Sequence, residues 1–205
     1  MIKLFVFDLG NVILPFEHRQ IAVKLHQKST RKTVFTPQQL FDVLFDLHNG
    51  LINPYEEGLM SLDEFFSKLK CQFHLDMDMK AFGNIWNPIF RDDPEVNEII
   101  LYLKEKGYPL FLLSNTNELH FSYIMEQYPI VHSFDEWLLS FEVGAKKPHK
   151  RIYDAIFEKM DIQPGEVFYV DDISRYVETA QQLGINGMVF KSADQLWEFI
   201  KKNGI

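Results

Sequence analysis

One interval in this chain constrains its fold more than any other feature. Five short apolar or β-favouring runs end at turn-forming or charged residues: Lys3–Phe7, Leu110–Ser114, Glu136–Ser140, Val167–Val170 and Gly187–Phe190. They read as buried strands separated by helical patterns, and strand alternating with helix predicts a parallel sheet with right-handed crossovers. Between the first two strands, however, lie about a hundred residues, where a βαβ unit takes ~30 in all. That interval holds helical patterns at Gln20–Lys28, Pro37–Leu47 and Leu62–Leu69 and no convincing strand. The expectation is a doubly wound parallel α/β core, residues 1–16 and 92–205, with an α-helical cap subdomain inserted at 17–91.

Helix punctuation supports this division. Pro94–Lys106 opens on Pro and is followed by Gly107, and Pro148–Met160 again opens on Pro. Ser174 is the expected cap of Arg175–Leu183, which stops at Gly184, and Ser192 that of Ala193–Lys202. With 46% hydrophobic residues and 19 Phe, a sizeable buried core is expected.

The composition also narrows the partners. A net charge of −8 disfavours nucleic acid and anionic membranes, whose phosphates reward positive charge, but not a small phosphorylated molecule that feels only the local field. The single Cys71 excludes an intrachain disulfide or a multi-thiolate metal site. No signal peptide or membrane span is read, so the expectation is a soluble cytoplasmic protein. No pattern sets an oligomeric state.

The acidic residues at strand ends suggest a site. Asp8 directly follows the first strand, and Asp171 and Asp172 follow the fourth. In a doubly wound sheet these strands are neighbours at the topological switch point, where ligands bind outside the carboxyl ends. Each acid alone reads as turn or helix-start chemistry. Together they form a carboxylate cluster that repels itself unless a cation intervenes, and a hard cation taking few protein oxygens, Mg²⁺, fits best. The second strand runs into Ser114-Asn115-Thr116-Asn117, which offers hydroxyl and backbone donors to a phosphate or simply caps a helix. Lys147, with Lys146, Lys150 and Arg151 around it, either belongs to a solvated face or offsets the carboxylates and a transferring phosphoryl group.

In this order and spacing, Phe7-Asp8-Leu9-Gly10-Asn11-Val12-Ile13, Leu113-Ser114-Asn115, Lys147-Pro148 and Val170-Asp171-Asp172 resemble the four motifs of the haloacid dehalogenase superfamily. They bracket the whole chain except the insertion. The likeness is nearest to the subgroup with a helical cap after motif one, which includes bacterial sugar-1-phosphate phosphatases and the phosphatase domain of soluble epoxide hydrolases. It implies a phosphatase of small phosphorylated metabolites, sugar phosphates favoured, with Asp8 as nucleophile and a phosphoaspartyl intermediate. It further implies Mg²⁺ held by Asp8, the Gly10 carbonyl and Asp172. Phosphate would be held by Ser114, Asn115 and Lys147, with Asp171 orienting Lys147 or a metal-bound water from behind.

Gly10 departs from the pattern. The commonest phosphatase members carry there a second Asp that protonates the leaving alcohol and later activates water, help typically worth ~10²–10⁴ in rate. Its loss favours a better leaving group, such as an anomeric or acyl phosphate. Glu17 and His18 follow on the flap, where surface solvation is the expected state. Tyr176 stands where epoxide-hydrolase relatives have Asn. Tyr55–Gly58 and Trp86–Phe90 are the expected substrate-facing parts of the cap. Alternatives are a binding or regulatory protein that has lost turnover through Gly10, and a metal-independent haloacid dehalogenase. A receiver domain is disfavoured because its acidic pair precedes its acceptor and it has no room for the cap.

Overall fold

The computed structural model describes residues 1–205. Its strands are β1 (Leu4–Phe7), β2 (Leu110–Ser114), β3 (Glu136–Leu139), β4 (Val167–Asp171) and β5 (Asn186–Val189). They form one parallel sheet in the order β3-β2-β1-β4-β5. This is the doubly wound α/β arrangement expected from the sequence. Side chains alternate across a strand, so β1 serves both layers. Phe5 and Phe7 enter one core cluster, with Ile99 and Ile100 of α6 (Pro94–Glu105) and Leu196 of the last helix. Leu4 and Val6 enter the other, under Ile152 and Ile156 on the opposite face. Burial on both faces explains why these runs are almost wholly apolar.

Between β1 and α6 stand five helices: α1 (Arg19–Gln27), α2 (Pro37–Phe45), α3 (Asn53–Glu56), α4 (Leu62–Phe73) and α5 (Met79–Trp86). They bury a hydrophobic cluster of their own around Phe65, Leu69, Phe82 and Trp86. Thr36 and Ser61 start α2 and α4 with capping boxes, each paired with the Gln or Glu three residues on. The chain leaves and re-enters the sheet side by side: Glu17 N–H donates to Ile89 at 3.2 Å and Arg91 N–H to Pro15 at 2.8 Å. After β2 the order continues with α7 (Glu118–Gln127), α8 (Ser140–Val143), α9 (Lys150–Lys159), α10 (Ser174–Gln182) and α11 (Ala193–Lys202).

Two helix starts differ from the sequence expectation. Ser174 is the first residue of α10 rather than its cap. Ile173 is the N-cap residue and no side chain caps the helix; the Asp171 carboxylate accepts the Ile173 N–H at 2.8 Å, an Asx-type turn that fixes the chain just ahead of the first turn. Helix α9 begins after Pro148, because His149 is its N-cap and accepts from Arg151 N–H through Nδ1 at 3.2 Å. Ser192 caps α11 as expected. No helix is long and apolar enough to cross a membrane.

The insertion docks on the sheet domain partly through His120 of α7, a buried imidazole stacked on Trp86. Its Nε2 lies 3.0 Å from the Trp86 carbonyl and its Nδ1 3.2 Å from Asn117 Nδ2. Burial pushes its pKa from 6.5 down to about 3, with His18 adding to the fall and the Trp86 carbonyl opposing it. The folded state therefore binds fewer protons than the unfolded chain between those values. His120 then contributes stability that is present above pH 6.5 and lost as the pH falls, by about 1.4 kcal/mol per pH unit. Urea unfolding of wild type and His120→Gln at stepped pH should show the difference between them shrinking at about that slope from pH ~6 to ~4. A pH-independent difference would contradict it.

Candidate active site

The carboxyl ends of β1, β2 and β4 assemble the site. Asp8 continues β1, its N–H donating to Val170 at 2.8 Å, so its carboxylate lies beside the end of β4. Asp171 is the last residue of β4, and Asp172 follows it. Carboxylate oxygens of Asp8, Asp171 and Asp172 all lie within 4.8 Å of one another.

Lys147 holds this cluster together. It is 3% exposed, and its Nζ lies 2.7 Å from Asp8 Oδ1, 2.7 Å from Asp171 Oδ2 and 3.0 Å from the Leu113 carbonyl. An ammonium has three donors, and all are engaged by protein, so direct contact with a phosphate requires one of them to be shared. Asn115 fixes the lysine from the backbone side: its Oδ1 accepts the Lys147 N–H at 2.7 Å and its Nδ2 donates to the Lys147 carbonyl at 3.1 Å. Asp171, fully buried, has a protein partner on each oxygen. Oδ2 receives Lys147 and the Tyr169 hydroxyl, and Oδ1 the Ile173 N–H. Asp8 has only Lys147 as a side-chain partner and lies open to a cavity.

Electrostatics follow from burial and crowding. Burial raises the Asp8 pKa to about 7; Lys147 opposes the rise, while Asp171 and Asp172 add to it. Asp172 is raised too, by burial and then by Asp171. Burial alone would lower Lys147, but Asp8 and Asp171 override it and hold the ammonium charged. Three clustered carboxylates facing one lysine leave a net negative pocket with oxygen donors, the chemistry that a hard divalent cation relieves.

The cavity that Asp8 opens onto has a volume of about 220 Å³. Gly10, Asn11, Asn115, Lys147, Asp172 and Tyr176 line its floor beside Asp8, while Phe16, His18, Phe45, Leu47, Ile52, Asn53 and Glu56 come from the flap and insertion. Ser114 stands at the end of β2, 2% exposed, and is not among the residues that line the cavity. Asn11 adopts φ 55°, a left-handed conformation that Asn tolerates, and spans the site. Its Nδ2 donates to Asp172 at 3.3 Å, and its Oδ1 accepts the Phe16 N–H.

Several residues differ from expectation. Of Tyr55–Gly58 only Glu56 reaches the cavity, where it forms an ion pair with Lys146, which also donates to Asn53 at 2.7 Å. The Tyr55 hydroxyl instead accepts from Leu119 N–H. Trp86–Phe90 lines no part of the cavity, since Trp86 fills the core of the insertion. His18 is not a solvated surface residue but part of the cavity wall. Lys150 and Arg151 turn away, to Asp154 and to the Val143 carbonyl.

A parallel sheet with this order, carrying an acidic cluster, a buried lysine and a helical insertion after β1, defines a hydrolase class. Residues 51–190 match the family model of haloacid dehalogenase-like hydrolases. Over 191 residues the chain is 30% identical to D-ribitol-5-phosphate phosphatase of Bacteroides thetaiotaomicron, covering 90% of this chain and 89% of that protein. The crystal structure of a HAD family enzyme of Bacteroides thetaiotaomicron, in complex with magnesium and inorganic phosphate, matches with a TM-score of 0.81 at 26% identity, over 93% of this chain and 95% of that one. L-2-haloacid dehalogenase from Xanthobacter autotrophicus shares the fold, with a TM-score of 0.63 at 17% identity over 91% of this chain and 76% of that one. The chain belongs to the haloacid dehalogenase-like hydrolase family.

Proposed function

We propose that this hydrolase is a magnesium-dependent phosphatase of a compact phosphorylated metabolite, a sugar or polyol phosphate, acting through a phosphoaspartyl group on Asp8. The observation that carries the reading is the Asp8 carboxylate: Lys147 grips one oxygen at 2.7 Å while the group opens onto a cavity shared with Asp172. A carboxylate oriented in this way can attack phosphorus, the bond to the leaving oxygen breaking as the new one forms. Water then releases orthophosphate and restores the acid. Lys147 holds the nucleophile in line and lends positive charge to the phosphoryl group in flight; the Asn115 backbone N–H is assigned to its oxygens, and Ser114, which does not line the cavity, is assigned there from the family pattern alone.

Asp171 has both oxygens bound by protein, so Asp8, Asp172 and the Gly10 carbonyl are the groups assigned to Mg²⁺. When bound, the ion would neutralise charge on the transferring phosphoryl group. Asp171 is a positioning residue for Lys147. Residues 17–91 are assigned as the cap that selects substrate. The cavity is smaller than usual ligand pockets of ~300–1,000 Å³ and mixes Asn53, Glu56 and Lys146 with Phe16, Phe45 and Ile52. That suits a short hydroxylated phosphate. A relative acting on D-ribitol-5-phosphate and a structural match holding magnesium and phosphate support the choice.

Gly10 favours a second reading, a protein that binds phosphate without turning it over. Phosphate release from a panel of sugar, polyol and acyl phosphates with Mg²⁺, beside Asp8→Asn and a chelator control, separates the two. Turnover abolished by both controls supports the phosphatase. Phosphate and Mg²⁺ binding without release of phosphate from any substrate supports the binding protein.

A further inference from the structure

At Gly10 the space a side chain would occupy is filled. A Cβ there would lie 2.5 Å from Phe16 Cε1 and 3.2 Å from its Cδ1. His18 packs against the Phe16 ring, with centroids 4.5 Å apart, and stacks on Phe45 of α2 at 4.4 Å and 10°. The aromatic pair holds this imidazole in the wall of the cavity that Asp8 and Asp172 share.

The ring of His18, like those of His48 and His74 away from this cavity, makes no protein hydrogen bond. The rings of His26, His120, His132 and His149 all have one. A polar ring so placed is completed by whatever occupies the cavity. Burial pushes its pKa down to about 4; Glu17, its chain neighbour, opposes this and Lys146, across the cavity, reinforces it. From α7 the ring of His120 faces it at 6.3 Å, and α2 offers only Phe45. At neutral pH His18 is therefore an uncharged imidazole with a free acceptor nitrogen. It can take a proton without adding a fourth negative charge beside Asp8, Asp171 and Asp172.

We propose that His18 is the proton acceptor for the water that hydrolyses the phosphoaspartate, doing from the flap the water-activating half of the work a carboxyl at position 10 would do. The inference rests on the phosphatase reading. The water oxygen bonds to phosphorus, the bond from phosphorus to the Asp8 oxygen breaks, and its electron pair restores the carboxylate. One water proton passes to the imidazole and on to solvent; the other stays on orthophosphate. His18 takes no part in the departure of the alcohol.

The test is pre-steady-state release of p-nitrophenol from p-nitrophenyl phosphate with Mg²⁺. His18→Phe keeps an aromatic ring between Phe16 and Phe45 but removes the nitrogens. It should release a burst near one equivalent per enzyme and then turn over about 10²-fold more slowly than wild type. Added imidazole should restore the steady rate of His18→Gly. If His18→Phe matches wild type, or loses burst and steady rate together, the assignment is overturned while the phosphatase reading stands. If wild type releases nothing from this substrate or from the metabolite panel, both fall.

Discussion

Lys147→Met is expected to lower the unfolding free energy by about 3–5 kcal/mol and turnover by about 10²–10³-fold. The stability loss comes from Asp171, which has no exposed surface and keeps only the Tyr169 hydroxyl and the Ile173 N–H when its cation goes. An uncompensated buried carboxylate costs far more than an exposed one, because no water replaces the lost partner. The activity loss comes from Asp8, whose one side-chain anchor is the same ammonium. Adding Asp171→Asn to Lys147→Met should recover a large part of the stability and none of the turnover. Urea unfolding of wild type, both single variants and the double variant measures the coupling. A loss below about 1 kcal/mol in Lys147→Met would show that the pair is no more than a surface-like contact.

The second large effect concerns Gly10. Installing the carboxyl found in the commoner relatives should fail by itself. Gly10→Asp drives its Cβ into the Phe16 ring, which packs on His18 and Phe90 and belongs to the paired segments joining insertion and sheet domain. Overpacking of this kind costs about 1–3 kcal/mol and should lower turnover at least tenfold by displacing the flap. Gly10→Asp with Phe16→Ala removes the clash. The double variant should exceed Gly10→Asp in turnover and gain most on alkyl phosphates, by about 10²-fold, since these need a proton on the leaving oxygen. Comparing kcat for alkyl and aryl phosphates across wild type, Phe16→Ala, Gly10→Asp and the double variant checks this. A Gly10→Asp single variant as stable as wild type and faster on alkyl phosphates would show that Phe16 yields freely.

Much of the frame was legible because it is local. The central strands β1, β2 and β4 announce themselves as apolar runs, and Asp8, Ser114, Asp171 and Asp172 stand at their ends, so the winding rule alone brings the acids together. Caps were legible where a serine or threonine precedes a helix, as at Ser192, and failed at Ser174, which is itself helical and follows an uncapped Ile173 in the turn that Asp171 fixes. Helix α5 escaped notice because Gly83 and Asn84 weaken its helical pattern. Of the site, the Lys147 pairing with Asp8 followed from the family pattern, while its clamp by the Asn115 amide did not. The cavity wall was the least legible part. Phe16 beside Gly10, His18 against Phe45, and Lys146 on Glu56 join residues distant in sequence or set by the docking of the insertion. Asn11 left one signal, an Asn directly after Gly in a turn, where a left-handed residue is at home.

A phosphoryl group carried by Asp8 can be trapped chemically. Enzyme turning over its best substrate with Mg²⁺ is quenched and reduced with borohydride, and the peptide containing residue 8 is read by mass spectrometry. Homoserine, the reduction product of an acyl phosphate, is expected at position 8 and is expected to be absent without substrate and without Mg²⁺. Turnover that continues in Asp8→Asn, or reduction found at another carboxylate, would contradict phosphoryl transfer to Asp8.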